Sequence, residues 1–415
     1  MNVFKFGGAS IKDANGVKNL AAILNEYSKT YPVVVISAMG KTTNALEDVI
    51  DNYLYHTSAL EASIQVVLDY HNTIISELFL DSEDSIFIAI ASIINDLKMF
   101  LKTNASTDYN FVYDQIIGYG ELLSTTIVSR YLNVLGIQNK WLDVRKYIHT
   151  DASYRRANVN WEQTVKDIST LQQHKIIYLT QGFLGANGNC TTTLGREGSD
   201  YTAAIFAYAL NAKSVTIWKD VPGVLNADPR YFKDAQLLEQ LSYSEAIELA
   251  FYGASVIHPK TLQPLHQKDI TLFVKSFLNP LSKGTKINSD PGLVPAIPCY
   301  IVKKNQVLIQ ISSLDFSYIV EENISDIFNI LHRFKMKVDL IQNSAISFSV
   351  CVEDVFNNLK HVLEHFSVTY NVTYIPKVTL YTVRHYNSNA INSITKNKNI
   401  LLQQRTLDTL QIVTK

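Results

Sequence analysis

Cysteine is scarce in this 415-residue chain: Cys190, Cys299 and Cys351 are scattered and odd in number. They form neither a zinc-ligand spacing nor a disulfide framework, so a reducing cytoplasm is the expected compartment. Cys190 reads as a buried structural thiol. Net charge is also missing. The balance of -1 removes the electrostatic case for nucleic acid as a partner. Long apolar runs are absent too. The most apolar helical stretch, Ser85 to Leu101, is interrupted by Ser92, Asn95, Asp96 and Lys98, which makes it a core helix and not a membrane span. The start runs directly into Lys5-Phe6-Gly7-Gly8 with no signal-peptide pattern. Neither G-x-x-x-x-G-K nor G-x-G-x-x-G occurs at the glycine-bearing turns, so the two commonest phosphate-loop signatures are excluded there.

What the chain has is apolar residues, 47% of the total, enough for two or three domains with substantial cores. Valine- and isoleucine-rich strands, such as Val33 to Ser37 and Ile176 to Thr180, alternate with helical segments up to about Lys286. This is the pattern of an α/β fold with a mainly parallel sheet sandwiched by helices. Leu46 to Phe100 is largely helical by its three- and four-residue apolar spacing. Three prolines and a glycine mark a linker over 288–298.

Three glycine-bearing segments ask for a ligand. In Thr191-Thr192-Thr193-Leu194-Gly195-Arg196-Glu197-Gly198-Ser199-Asp200, hydroxyls, glycines, an arginine and an aspartate precede an alanine-rich helix. Small residues let the backbone approach a ligand, and a helix N-terminus offers donors and a positive dipole to an anion. Lys5-Phe6-Gly7-Gly8-Ala9-Ser10 places a lysine and a glycine turn between a strand and a helix. A third segment, Trp218 to Arg230, runs from a strand into a loop with two prolines, a glycine, two aspartates and an arginine, where ligands sit in open α/β sheets.

Together with Gly120-Glu121-Leu122-Leu123-Ser124, these motifs resemble the aspartokinases of the amino acid kinase superfamily, and the resemblance runs from end to end. Tyr252-Gly253-Ala254-Ser255-Val256-Ile257-His258-Pro259 is similar to the family as well. The resemblance implies a catalytic domain over 1–287 and, after the linker, two ACT-like α+β units: 299–376, and a shortened one over 377–415. The second unit lacks a closing helix and strand after Val413, so a neighbouring unit or subunit would have to complete its sheet, or it stays small. With no room for a dehydrogenase domain before Lys415, a monofunctional enzyme is expected.

The implied reaction is transfer of the γ-phosphoryl of ATP to the side-chain carboxylate of L-aspartate. The product is 4-phospho-L-aspartate, the first intermediate toward lysine, threonine and methionine. A carboxylate with a pKa of about 4 is already ionised at neutral pH, so no general base is required. Positioning and positive charge carry the catalysis. The resemblance implies Lys5 and Asp200 as catalytic residues, and Thr43, Glu121, Arg196 and Ser199 for the amino acid. Arg196 suits the α-carboxylate through its bidentate fork, and Glu121 the ammonium. Lys5, Gly7, Gly8, Ser10, Lys219, Asp220, Leu225, Arg230 and Ser255 fall at nucleotide positions, with Mg2+ carried mainly by the phosphates. No protein metal site is implied.

Competing structural readings are Glu121 as a first-turn residue answering its own helix dipole, Asp200 as an N-cap, and Arg230 in a surface ion pair. The chain departs from the family at Ala9, Glu197, Lys219, Leu225 and Ser255. Ser255 takes the place of a lysine that contacts ATP in many relatives, and Glu197 stands where glycine is commoner. Val338, Asp339 and Ser344 match effector positions of lysine-sensitive relatives, while Ala345 replaces a glutamate there. Lysine or threonine is the candidate effector, and a homodimer or dimer of dimers the implied assembly. The alternatives are a kinase for another small substrate and a catalytically silent amino-acid sensor. The Arg196 motif and the ACT-like tail disfavour the first. Joint retention of Lys5, Glu121, Arg196 and Asp200 disfavours the second.

Overall fold

The computed structural model describes residues 1–27, 30–171, 175–254 and 257–415. Ser255 lies outside the described residues. The chain forms two compact units: Met1–Val224 with Leu237–Ile247 and Ile257–Gly292, and Leu225–Gln236 with Glu248–Val256 and Leu293–Lys415.

The first unit holds β1 (Asn2–Phe6), β2 (Val33–Ile36), β3 (Asn139–Leu142), β4 (Ile177–Gln181), the hairpin β5 (Leu184–Asn187) and β6 (Cys190–Thr193), and β7 (Ser214–Lys219). It is completed by β8 (Gln240–Ser242), β9 (Thr271–Ser276) and β10 (Thr285–Asn288). Eight of them make one sheet in the order β3-β4-β2-β1-β7-β9-β10-β8. Every neighbouring pair is parallel except β9 with β10. The valine run of β2 is buried along its whole length, as a strand covered on both faces requires. Across β1 and β7, Phe6 stacks on Trp218 and Phe4 meets it edge-on, with Phe277 edge-on to Phe6. Consecutive parallel strands leave the loops after β1, β2, β4 and β7 on one carboxyl edge, where ligands bind in such sheets.

The second unit holds a six-stranded antiparallel sheet, β12-β13-β11-β14-β16-β15. Its strands are β11 (Cys299–Ser313), β12 (Lys337–Asn343), β13 (Ser347–Glu353), β14 (Tyr370–Arg384), β15 (Ile400–Arg405) and β16 (Thr409–Thr414). The sequence splits 369–384 into two strands around Pro376, but the structure keeps one. Pro376 and Lys377 fall in a register break between the Leu308–Ile375 and Gln306–Val378 pairs, with Lys377 at φ +58°. A proline tolerated at a bulge removes no ladder hydrogen bond. Cys299 to Lys303 pair with Arg384 to Leu380, and β16 flanks the same stretch of β14. The sheet that the sequence leaves short after Val413 is therefore completed from the same chain. Residues 299–303 serve this half and not the 299–376 segment. One helix, Ser388–Thr395, covers its small core of Val383, Ala390, Ile394, Leu410 and Ile412. Among the described residues no helix is long and apolar enough to cross a membrane.

Candidate active site

At the carboxyl edge of the first unit's sheet a cleft of about 1110 Å³ is lined by Lys5, Gly8, Thr43, Glu121, Arg196, Ser199, Asp200 and Lys219, among others. Strand ends, the turns after them and three helix starts deliver these residues. Lys5 is on β1, and Gly8 follows in a turn packed so tightly that a Cβ there would collide with the Ala38 carbonyl oxygen. Only glycine fits such an approach. Thr43 is in the first turn of the helix Thr42–Tyr55, and Glu121 in the first turn of Tyr119–Val134. Arg196, Ser199 and Asp200 come from the turn and first turn that open the helix Gly198–Ala209. Gly195 (φ +81°) supplies the left-handed step into it.

Asp200 is not the N-cap; that position is Glu197. The Asp200 carboxylate is buried and lies 2.6 Å from the Lys5 ammonium, with Lys219 at 3.9 Å. Two cations thus share one acid. The sequence leads one to expect the helix's first N–H groups to be offered to an anion. Those of Gly198 and Asp200 instead bond the Gly195 and Glu197 carbonyls at 3.0 Å. Positive charge in the cleft is carried by side chains.

Glu121 is 4% exposed, and its Oε2 has no hydrogen-bond partner. Burial pushes its carboxyl up to about 8, against the opposing pull of backbone N–H groups and of the Lys5 charge. A helix-dipole role would not require this depth. A buried, unsatisfied acceptor in a cleft wall is completed by a ligand donor.

Not every nucleotide candidate reaches the cleft. Ser10 is buried behind it, and its hydroxyl contacts the Trp218 carbonyl at 3.5 Å. Asp220 is exposed beyond the end of β7, outside the cleft lining. Gly7 also lies outside the lining, although a Cβ there would stand 3.4 Å from Lys5 Nζ. Leu225 and Arg230 belong to the second unit, where the exposed Arg230 guanidinium forks onto Asp228 at 2.6–3.0 Å. This is the surface ion pair that competes with a nucleotide role. Among the effector candidates, Asp339 sits at a register break of β12 between Val338 and Leu340. Its carboxylate is 4% exposed and is held by Lys303 at 2.7 Å. Val338 is half-buried and Ser344 exposed.

The cleft also contains residues that sequence reading passed over, Asn110, Tyr113, Tyr154, Arg155, Arg156 and Phe183, as well as His258 of the Tyr252–Pro259 motif. The fully buried Asp114 ties the Arg155 turn to the Thr193 strand. It accepts from the Arg155 N–H (3.1 and 2.9 Å), the Thr193 N–H (2.8 Å) and the Thr193 hydroxyl (2.8 Å). Glu197, at φ +53°, accepts from the His258 N–H at 2.8 Å. Its left-handed backbone explains why glycine suits the position.

A parallel sheet whose carboxyl edge brings a glycine turn, paired lysines, a buried acid and an arginine into one cleft is the layout of a small-molecule kinase. Residues 1–276 match the family described as the amino acid kinase family. Over 351 residues the chain is 31% identical to lysine-sensitive aspartokinase 3 of Escherichia coli (strain K12), covering 81% of this chain and 75% of that protein. The chain belongs to the aspartokinases. The crystal structure of E. coli aspartokinase III with lysine and aspartate superposes at a TM-score of 0.83, with 27% identity over 100% of this chain and 95% of that one. Its complex with aspartate and ADP gives 0.81, at 26% identity over 100% and 96%.

Proposed function

We propose that this cleft transfers the γ-phosphoryl of ATP to the β-carboxylate of L-aspartate, opening the route to lysine, threonine and methionine. The observation that carries the reading is Glu121, a buried carboxyl with an unpartnered oxygen, in the same cleft as the Arg196 guanidinium. A zwitterion with one group of each sign satisfies both.

Arg196 holds the α-carboxylate, Glu121 the ammonium, and Thr43 and Ser199 donate hydroxyls around the bound amino acid. The free β-carboxylate oxygen attacks phosphorus as the bond to the ADP oxygen breaks, leaving an acyl phosphate. Lys5 neutralises charge growing on the transferred group, and Asp200 holds Lys5 in place across 2.6 Å. Gly7 and Gly8 let the phosphates approach the backbone. Lys219 and Lys260, both lining the cleft, supply positive charge that Ser255 lacks. Among the described residues no group of three or more His, Cys, Asp or Glu side chains could hold a metal. Mg2+ is read as carried on the nucleotide's phosphates, where it would screen their charge.

The antiparallel region is read as regulatory, with lysine or threonine as effector and pairing of copies through it. Asp339 enters such a role already neutralised by Lys303. A cytoplasmic location suits the free thiols Cys190, Cys299 and Cys351. The test is formation of aspartyl hydroxamate from ATP, Mg2+, aspartate and hydroxylamine, with and without lysine or threonine. Product that disappears in Lys5→Ala and Arg196→Ala supports the reading. A folded, ATP-binding protein that makes none overturns it in favour of a sensor.

A further inference from the structure

Three side-chain-bearing residues of the cleft wall adopt left-handed backbone: Phe183 (φ +70°), Arg155 (φ +68°) and Glu197 (φ +53°). Strain of this kind persists where the surroundings over-determine it, and it gathers at ligand sites. Arg155 is the most heavily constrained of the three. Both oxygens of buried Asp114 take its backbone N–H, and its guanidinium lies 4.3 Å over the Tyr113 ring. The Arg155–Arg156 turn packs against the substrate motif. A Cβ at Gly195 would stand 3.2 Å from the Arg155 carbonyl oxygen and 3.4 Å from Arg156 Cγ. Among the described residues Arg155 makes no ion pair, and its exposed side chain is part of the cleft lining.

We propose that Arg155 is a specificity-determining residue that donates to the α-carboxylate of the amino-acid substrate alongside Arg196. This rests on the reading of the cleft as the aspartate site. A carboxylate has about four acceptor directions, and one bidentate guanidinium uses two. A second guanidinium, stacked on the Tyr113 ring, takes the others with part of its freedom already lost. Asp114 acts only through Arg155 and the Thr193 strand, as a positioning residue.

The test compares wild type with Arg155→Gly, Arg155→Lys and Asp114→Asn. Glycine accepts the left-handed backbone, so Arg155→Gly should melt no lower than wild type while losing the guanidinium. A lost hydrogen bond to a charged group predicts a KM for aspartate raised about ten- to a hundredfold, most of the effect in KM and not kcat, with KM for ATP unmoved. Aspartate α-amide supplies the second readout: preference for aspartate over it should fall by about tenfold in Arg155→Gly. Arg155→Lys should recover part of the preference, and Asp114→Asn should lose part of it. Calorimetric binding of aspartate to wild type and Arg155→Gly reads the same contact without turnover. Equal affinities, or an equal loss for aspartate and its α-amide, would overturn the inference. A wild type that binds aspartate through Arg155 yet makes no hydroxamate would count against the kinase reading and not against this one.

Discussion

Lys5 and Asp200, nearly two hundred residues apart in sequence, meet in a buried ion pair of 2.6 Å in the cleft wall. Because they act as a unit, their deletions should not add. Lys5→Ala should cost about two to three orders of magnitude in kcat. Asp200→Asn should cost less, and the double variant no more than Lys5→Ala alone. Steady-state hydroxamate rates across the cycle measure this. Additive losses would show that the two residues serve separate steps.

Glu121 gives a pH signature. Its folded carboxyl titrates near 8 because of burial, whereas in the unfolded chain it ionises in the usual range near 4.3. Between those values the folded state binds the extra proton, so this group's contribution to stability is greatest at low pH and is lost as pH rises toward 8. Subtracting the stability–pH profile of Glu121→Gln from that of wild type should reveal this fall, and a flat difference would refute it.

The same group couples to substrate. An ammonium beside Glu121 favours the carboxylate, so aspartate binding below pH 8 should release a proton. Calorimetry in two buffers of different ionisation enthalpy reads this release directly. In Glu121→Gln the release should vanish, and affinity should drop by about tenfold or more.

Glu197 isolates the cost of its backbone. Glu197→Ala and Glu197→Gly both delete the acceptor of the His258 N–H, but only alanine keeps the penalty of φ +53°. The glycine variant should be the more stable of the two by about 1 kcal/mol in denaturant unfolding.

Lys303→Met leaves the buried Asp339 carboxylate with only the exposed Lys337 ammonium, 3.8 Å away. With that partner left, the second unit should lose less than the roughly 3–5 kcal/mol of a fully unpaired buried charge, and adding Asp339→Asn should recover most of the loss. Thermal melts of both variants check it.

Local pattern made much of this legible. The valine run of β2 and the glycine turn after β1 announce themselves because burial on both faces and tight turns restrict residue choice. The Thr191–Asp200 motif did the same for the substrate end. The Arg155–Arg156 turn left no such mark, because it depends on Asp114 reaching a loop 41 residues away and a strand 79 residues away. Ser10 was misleading for a related reason: proximity in sequence to a glycine turn says nothing about which way a hydroxyl points. Pro376 suggested a break that β14 absorbs as a bulge.

The two fifteen-residue strands β11 and β14 run side by side through the whole antiparallel sheet. Neither end of that sheet can fray without pulling rungs from the other, so the six strands form a single cooperative foldon. Amide exchange at Ile309, near one end of the shared ladder, and at Leu380, near the other, should share one opening free energy. A small molecule that stiffens either end would be felt along the whole of both strands.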